Sequence, residues 1–435
     1  MKKKITKYLL LALACLGLQS CLFQEENYFD DSSANRATAD VNRCGELLKA
    51  APNGWVMEYY VGKDYSLGGI TLLCRFDGQR VTMASQMAEA DETVSSLYSV
   101  KSEQATMLSF DTYNYLVHYF GQPQGSMSDD PNGTLGGDYE FIISSASDER
   151  IELKGKKYGN RIVMKALSED QTWKQYLTKI KKVEDDAFFY EYDLLMDGLY
   201  TGQMLRSNYT FIVTYYDEIG KVHQKTVPFM FTADGMRFHE PVTIDGQTMQ
   251  NFVWKNELIS FVCTDEGATG VKLAGVYTAG YQSYDYYPGT YQMDFYRLND
   301  ETGQLEVASQ EVRLLKNEDG KSYWLKGLEY DILVMYDKPR GGLSVSPQLL
   351  EKVQGGYVYL AMWDVMNDYV LRNKSIGLIS YATTNGIYLV DNGVWMGEVS
   401  GFIFGVYNSQ EEDAAFIGYT DAVASIRLVK KTIEE

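Results

Sequence analysis

The chain is short of histidine, proline, cysteine and positive charge. Its 435 residues include 3 His, 8 Pro and 5 Cys, and 40 Lys+Arg stand against 59 Asp+Glu. Each shortage removes a class of function. His118, His223 and His239 are too few for a His-rich metal site. No cysteine pair has zinc-ligand spacing. His239-Glu240 is followed by Pro241-Val242-Thr243, so the second His of a zinc-protease helix is missing. A net charge of −19 lacks the basic footprint that nucleic-acid binding needs. No apolar run is long enough to cross a bilayer as a helix. Gly342-Leu343-Ser344-Val345-Ser346 misses the last Gly of a nucleophile elbow. Gly320-Lys321-Ser322 ends like a phosphate loop, but Leu315 stands where its first Gly belongs. No cofactor, metal ligand or catalytic residue is therefore expected.

What is present points to a folded, exported β protein. Hydrophobic residues make up 45% and charged ones 23%, a globular balance rather than a disordered one. At about 100–200 residues per domain, the length suggests two to four domains.

The N-terminus reads as an address. Lys2, Lys3, Lys4 and Lys7 precede an apolar run from Tyr8 to Leu18, the pattern of a secretory signal. Leu18-Gln19-Ser20-Cys21 is similar to the bacterial lipobox. That resemblance implies that Cys21 becomes the acylated first residue of the mature chain. Acyl chains in a membrane give a stable anchor when several act together. Glu25, Glu26, Asp30 and Asp31 follow within a short tether, which resembles a surface-export signal of Bacteroidetes-type lipoproteins. Cleavage before Cys21 removes four lysines and moves the net charge from −19 to −23. Of the remaining cysteines, Cys44, Cys74 and Cys263 allow at most one disulfide. Cys44 falls on a helical apolar stripe and Cys74 on a strand's apolar face, so buried free thiols are expected.

Residues 32–50 read as a helix capped by Ser32 or Ser33, with Val41, Cys44, Leu47 and Leu48 on one stripe. Pro52-Asn53-Gly54 ends it. The period then switches to two: Trp55, Met57 and Tyr59; Leu72, Cys74 and Phe76; Val81 and Met83; Phe141 and Ile143; Ile162 and Met164. Nine Asn-Gly or Asp-Gly pairs, including Asp197-Gly198 and Asp245-Gly246, supply hairpin turns. A second helix is expected near 168–186, with Ser168 to Gln171 as its capping box and Trp173, Tyr176, Leu177, Ile180 and Val183 as its stripe. Lys174, Lys179, Lys181 and Lys182 lie largely off that stripe. Residues 112–120 suit a short helix carrying His118. Alternation resumes over 190–275 and again from Tyr291, Met293 and Phe295 to the end. The expected fold class is mainly β. Antiparallel sheets build sandwich or lipocalin-like barrel modules, with the two helices added. The expected organisation is signal 1–20, acidic tether 21–31, a β-rich domain at 32–187, a second β domain at 188–280 and a C-terminal β domain at 281–435.

Several segments resemble a domain of unknown function common in Bacteroidetes-type lipoproteins. They are Asn53-Gly54-Trp55 with Tyr59, Phe76-Asp77-Gly78, and Leu108 to Asn114 with His118. Gly137-Asp138-Tyr139-Glu140-Phe141 and Gly155-Lys156-Lys157 with Gly159-Asn160 complete the set. The similarity covers residues 43–165 and extends to about 260. It implies surface or periplasmic display, and it implies no catalytic residues.

Two local features are weighed for binding. Ser128 to Asp138 is an acidic, Gly-rich loop that lacks EF-hand spacing, so a solvated loop is expected. Tyr277, Tyr281, Tyr284, Tyr286 and Tyr287 crowd one stretch, and tyrosine faces can stack on sugars or hold peptides. Tyr281, Tyr284, Tyr286 and Tyr287 are the candidate ligand-binding residues. The expected function is a non-catalytic accessory that binds extracellular glycan or peptide in a nutrient-uptake system. It would sit on the outer membrane through its lipid anchor, beside uptake components. A β-scaffold hydrolase with paired carboxylates and a structural or adhesive surface component are the alternatives.

Overall fold

The computed structural model describes residues 32–123, 133–217, 219–411 and 413–431. Cys21, the acidic tether and residues 128–132 of the acidic loop lie outside them. The rest of that loop is not solvated as expected, because Gly136, Gly137 and Asp138 are buried, with Asp138 accepting from the Lys157 and Tyr158 backbone. The first helix, α1 (Ser33–Ala50), is capped by the Ser32 hydroxyl, which accepts from Asn35 N at 3.2 Å. Its Cys44 and Leu48 are buried.

Eight antiparallel strands follow: β1 (Trp55–Val61), β2 (Gly68–Phe76), β3 (Arg80–Ser85), β4 (Val94–Ser102), β5 (Thr106–Phe110), β6 (Glu140–Ala146), β7 (Arg150–Gly155) and β8 (Arg161–Ala166). They pair in chain order, and β8 returns to β1 to close a barrel. Eight strands leave an interior that side chains can fill. Trp55, Met57, Tyr59, Leu72, Cys74, Phe110 and Phe141 fill it here. Complete burial of an aromatic or aliphatic side chain contributes about 1.5–3 kcal/mol. The short helix α2 (Tyr115–His118) interrupts the path between β5 and β6, with Asn114 as its cap.

Helix α3 (Trp173–Asp186) then links to a second barrel. Its capping box is Thr172 with Gln175, four residues later than expected. The reason lies in Asn53, whose Nδ2 donates to Ser168 O at 2.7 Å and Gln171 O at 2.8 Å. Those bonds hold 168–171 as a turn, so helical geometry begins after it.

The second barrel comprises β9 (Glu191–Met196), β10 (Leu199–Ser207), β11 (Thr210–Tyr216), β12 (Val222–Phe231), β13 (Gly235–Ile244), β14 (Gln247–Lys255), β15 (Ser260–Cys263) and β16 (Val271–Val276). Strand β16 pairs with β9 to close it. Asp197-Gly198 and Asp245-Gly246 form its two-residue hairpin turns, with positive φ at all four residues. That backbone suits the twist of paired strands and is tolerated by Asp and Gly.

The third module contains β17 (Gly289–Leu298), β18 (Leu305–Lys316), β19 (Ser322–Lys326), β20 (Ile332–Asp337), β21 (Gly342–Val345), β22 (Gln348–Val353), β23 (Gly356–Asp364), β24 (Tyr369–Leu371), β25 (Leu378–Thr383), β26 (Gly386–Asp391), β27 (Gly401–Tyr407) and β28 (Phe416–Lys430). Following the pairs β17-β18-β19-β20-β21-β25-β26-β28 and back to β17 traces another closed ring of eight. At Ser425, where φ is 52°, the free edge of β28 passes from β26 to β27. Strand β27 then carries β23, which is flanked by β22 and β24. This side sheet packs Val358, Leu360, Phe402 and Phe404 into the core of the ring.

Among the described residues no helix is long and apolar enough to cross a membrane. Cys44, Cys74 and Cys263 are all free and buried.

Candidate functional site

The residues of the resembling segments act as scaffold. The Trp55 indole donates to Leu48 O at 2.8 Å, joining α1 to β1. The Tyr59 hydroxyl donates to Asp138 O at 2.8 Å inside the first barrel. Asp138 in turn accepts from the backbone of Lys157 and Tyr158. Asn160 Nδ2 donates to Gly136 O at 2.9 Å. His118 stacks on Tyr139 at 4.6 Å, and burial pushes its pKa below the ordinary range. These contacts hold loops and barrel closure together.

The tyrosine stretch forms the joint between the second barrel and the third module. Tyr277 and Tyr281 lie 4.4 Å apart and pack against Phe188 and Phe189 at the end of α3. The Tyr281 hydroxyl accepts from Tyr336 at 3.1 Å. Tyr284 stacks on Tyr323 at 4.7 Å and donates to Ser322 O at 2.8 Å. Tyr287 is 1% exposed and donates to Gly341 O at 2.8 Å. Burial raises the pKa of Tyr281, Tyr284 and Tyr287, so all three hydroxyls stay protonated. Tyr286 is 40% exposed, with the Lys430 ammonium 5.3 Å over its ring.

Beside this joint runs an open groove of about 950 Å³. All three modules line it. Gln86 comes from the first barrel, and Thr178, Lys181, Lys182, Glu184 and Asp185 come from α3. Phe188 and Tyr190 follow the helix, and Arg206 to Asn208 close the β10–β11 hairpin. Lys321, Lys338 and Pro339 come from the third module. The four candidate tyrosines are not on its wall; Tyr281 reaches it through its stack on Phe188.

The groove's cations are held in different ways. Arg206 is fixed, donating to Ala187 O and Asn208 O at 3.0 Å each, with its guanidinium 4.9 Å over the Phe231 ring. Glu184 stands 3.6 Å from Arg206 and accepts from the Tyr209 hydroxyl at 2.8 Å. Burial, with Glu184 beside it, raises the Tyr209 pKa. Lys338 staples the third module to the helix end, donating to Asp185 O at 2.7 Å and Asp185 Oδ2 at 2.8 Å. A cation there also meets the negative end of the helix dipole. Lys182 pairs with Asp186 at 2.6 Å. Among the described residues, Lys181 and Lys321 enter no ion pair. The sequence signalled only the lysines lying off the α3 stripe; Arg206, Lys321 and Lys338 are far apart in the chain and carried no signal.

A second cleft, of about 460 Å³, lies between the first two barrels and holds Glu58, Arg237, His239 and Glu240. A register shift in β13 between Arg237 and Val242 pushes His239-Glu240-Pro241 outward. The His239 ring packs against Tyr60 at 4.3 Å and Tyr65 at 4.0 Å. Glu58 is 8% exposed and is held by Arg237 and by Lys165, the latter at 2.7 Å. Its carboxylate is committed to joining the barrels. No group of three His, Cys, Asp or Glu among the described residues is placed to hold a metal.

A family model described as a domain of unknown function, DUF4302, matches residues 25–256, more than half of the chain. The chain belongs to the DUF4302 family. In this DUF4302 protein the match covers the first barrel, α3 and most of the second barrel. A further domain of unknown function, DUF4987, matches residues 264–404. That second match takes in β16, which closes the second barrel, and stops short of β28, which closes the third ring. No curated protein matches. Among solved structures, "The Structure of Intact Ap-TbpB (N and C lobes)" matches at 10% identity, covering 87% of this chain and 76% of that one. Its TM-score of 0.14 carries no argument about fold or function.

Proposed function

We propose that this protein is a surface-displayed lipoprotein that captures an extracellular glycan or peptide as an accessory of a nutrient-uptake system. The observation that carries the reading is the groove at the meeting of the three modules. It combines ring faces, amides and cations in a space large enough for a chain-like ligand. Phe188 and Tyr190 offer aromatic surface, Asn208 offers an amide, and Lys181 and Lys321 offer charge.

The N-terminal pattern supplies the location in this reading. Cys21 is the acylated anchor, and the acidic tether sets the body away from an outer-membrane surface. Anchoring by lipid leaves the rest of the chain free to meet uptake components in the same membrane. Display is tested by adding protease to intact cells. Cleavage is expected, and survival until lysis contradicts it. Cys21→Ala should release the protein from the membrane fraction. Binding is tested by screening the chain from residue 22 on glycan and peptide arrays, beside a Tyr190→Ala variant. The reading expects retained ligands that the variant loses. Retention unaffected by the variant places the site elsewhere.

A further inference from the structure

We propose that the groove's ligand is an anionic glycan, one that carries uronate or sulfate groups. The inference rests on the groove being the binding site. Its starting point is an imbalance. The chain holds 59 acids against 40 bases. The groove wall reverses that ratio, with Lys181, Lys182, Arg206, Lys321 and Lys338 against Glu184 and Asp185. Gathering like charges in one place is unfavourable unless something of opposite sign occupies it.

The internal acids do not fill that role. Asp185 is engaged by Lys338, Asp186 by Lys182, and Glu184 by Arg206 and Tyr209. Lys181 from α3 and Lys321 from the third module stay outside these ion pairs, and the Lys321 ammonium acts only through space on Asp319, whose pKa is lowered chiefly by the Ser322 hydroxyl. Two ammonium groups, one on α3 and one on the third module, therefore border the groove outside any ion pair. Elsewhere an acidic surface repels polyanions, so long-range attraction would steer an anionic chain to this region.

The remaining wall decides between a sugar and a peptide. Tyr190 is 50% exposed, a ring face suited to the C–H side of a pyranose. The exposed Asn208 amide can exchange hydrogen bonds with hydroxyls. The walls are a helix face, three hairpin ends and two loop segments. None is a free strand edge, so an extended peptide finds no ladder to join.

The test titrates the chain from residue 22 with polygalacturonate, alginate and chondroitin sulfate oligomers. Methyl-esterified oligogalacturonate serves as the neutral counterpart and oligoglutamate as the acidic peptide. At least one anionic glycan should bind, about tenfold or more tighter than the neutral ester. Binding should weaken as ionic strength rises from about 0.05 M to about 0.5 M. Lys181→Gln with Lys321→Gln should weaken it by about fivefold or more, with the melting temperature nearly unchanged because neither lysine is in an ion pair. Equal binding of ester and acid, lost in Tyr190→Ala, overturns the anionic inference and keeps the groove. Preference for oligoglutamate overturns the glycan assignment. Binding by the double variant equal to wild type overturns the charge argument. No binding by any probe overturns this inference, while retention of another glycan or peptide on the arrays, lost in Tyr190→Ala, keeps the groove reading.

Discussion

The molecule has two joints, and they are built differently. Between the first and second barrels, Val56, Leu73 and Ala84 on the outside of one barrel pack with Leu177, Ile180 and Val183 of α3 in a shared core. Glu58 and Arg237 form an ion pair within that seam. Gly68 lets its backbone press against Tyr209, where a Cβ would collide with the main chain. Between the second barrel and the third module, the contact is made by tyrosine rings, Phe188 and the Lys338 staple. The first joint has an apolar core under α3 and, beside it, a polar cleft whose Glu58 is already paired with Arg237 and Lys165. The second keeps a face open to water, and that face is the groove. A seam whose charges are already paired across it has little left to offer a ligand; a seam that stops short of closure leaves rings and charges available.

Substitutions can test that contrast. The largest effect is expected from Arg237→Ala, which leaves the Glu58 carboxylate buried with Lys165 as its remaining partner. A loss of about 3 kcal/mol in urea unfolding is expected. The double change Arg237→Met with Glu58→Leu should recover most of it, since an apolar pair avoids the desolvation cost. If Arg237→Ala alone costs nothing, the first joint is not held by that pair. Next comes Tyr281→Ala at the second joint, expected to cost about 1–2 kcal/mol through lost ring packing. That loss should fall on the third module, raising its susceptibility to limited proteolysis while the barrels stay resistant. Lys338→Ala removes a partly exposed pair and should cost about 0.2–1 kcal/mol. A loss as large as that of Arg237→Ala would erase the distinction between the joints.

The smallest effect at neutral pH belongs to His239, because it appears only on acidification. Burial depresses its pKa, with Glu240 and Glu58 opposing the shift and Arg237 and Arg161 adding to it. The unfolded chain, with an imidazole pKa of about 6.5, therefore takes up its proton first as pH falls. The stability linked to a neutral His239 is complete above about 6.5 and is lost as pH falls through the lower folded value. His239→Gln should flatten the fall in stability between about pH 7 and 5, leaving the part due to His118. An unchanged slope rules out this role.

Much of the scaffold could be read from local pattern. Alternation marked Trp55, Met57 and Tyr59 as inward, and they are. The helices appeared where their stripes indicated, and the hairpins at Asp197 and Asp245 followed from turn chemistry. What escaped was anything set by a distant partner. All seven residues of β1 are buried, because a second barrel and α3 cover the face that alternation assigned to water. The Asp77-Gly78 and Asp234-Gly235 hairpins look alike in sequence, yet one links the second and third strands of its barrel and the other the fourth and fifth. The groove was illegible for the same reason. Its cations at 181, 206, 321 and 338 meet through three modules, and no spacing along the chain announces that.

Hydrogen exchange with and without a bound anionic oligosaccharide tests the central claim most directly. Amides at 178–190, 206–208 and 338–341 should gain protection, while those at 56–61 and 237–250 stay unchanged. Protection confined to the seam between the first two barrels, or absent from all groove segments despite saturation, would contradict the assignment of binding to the second joint.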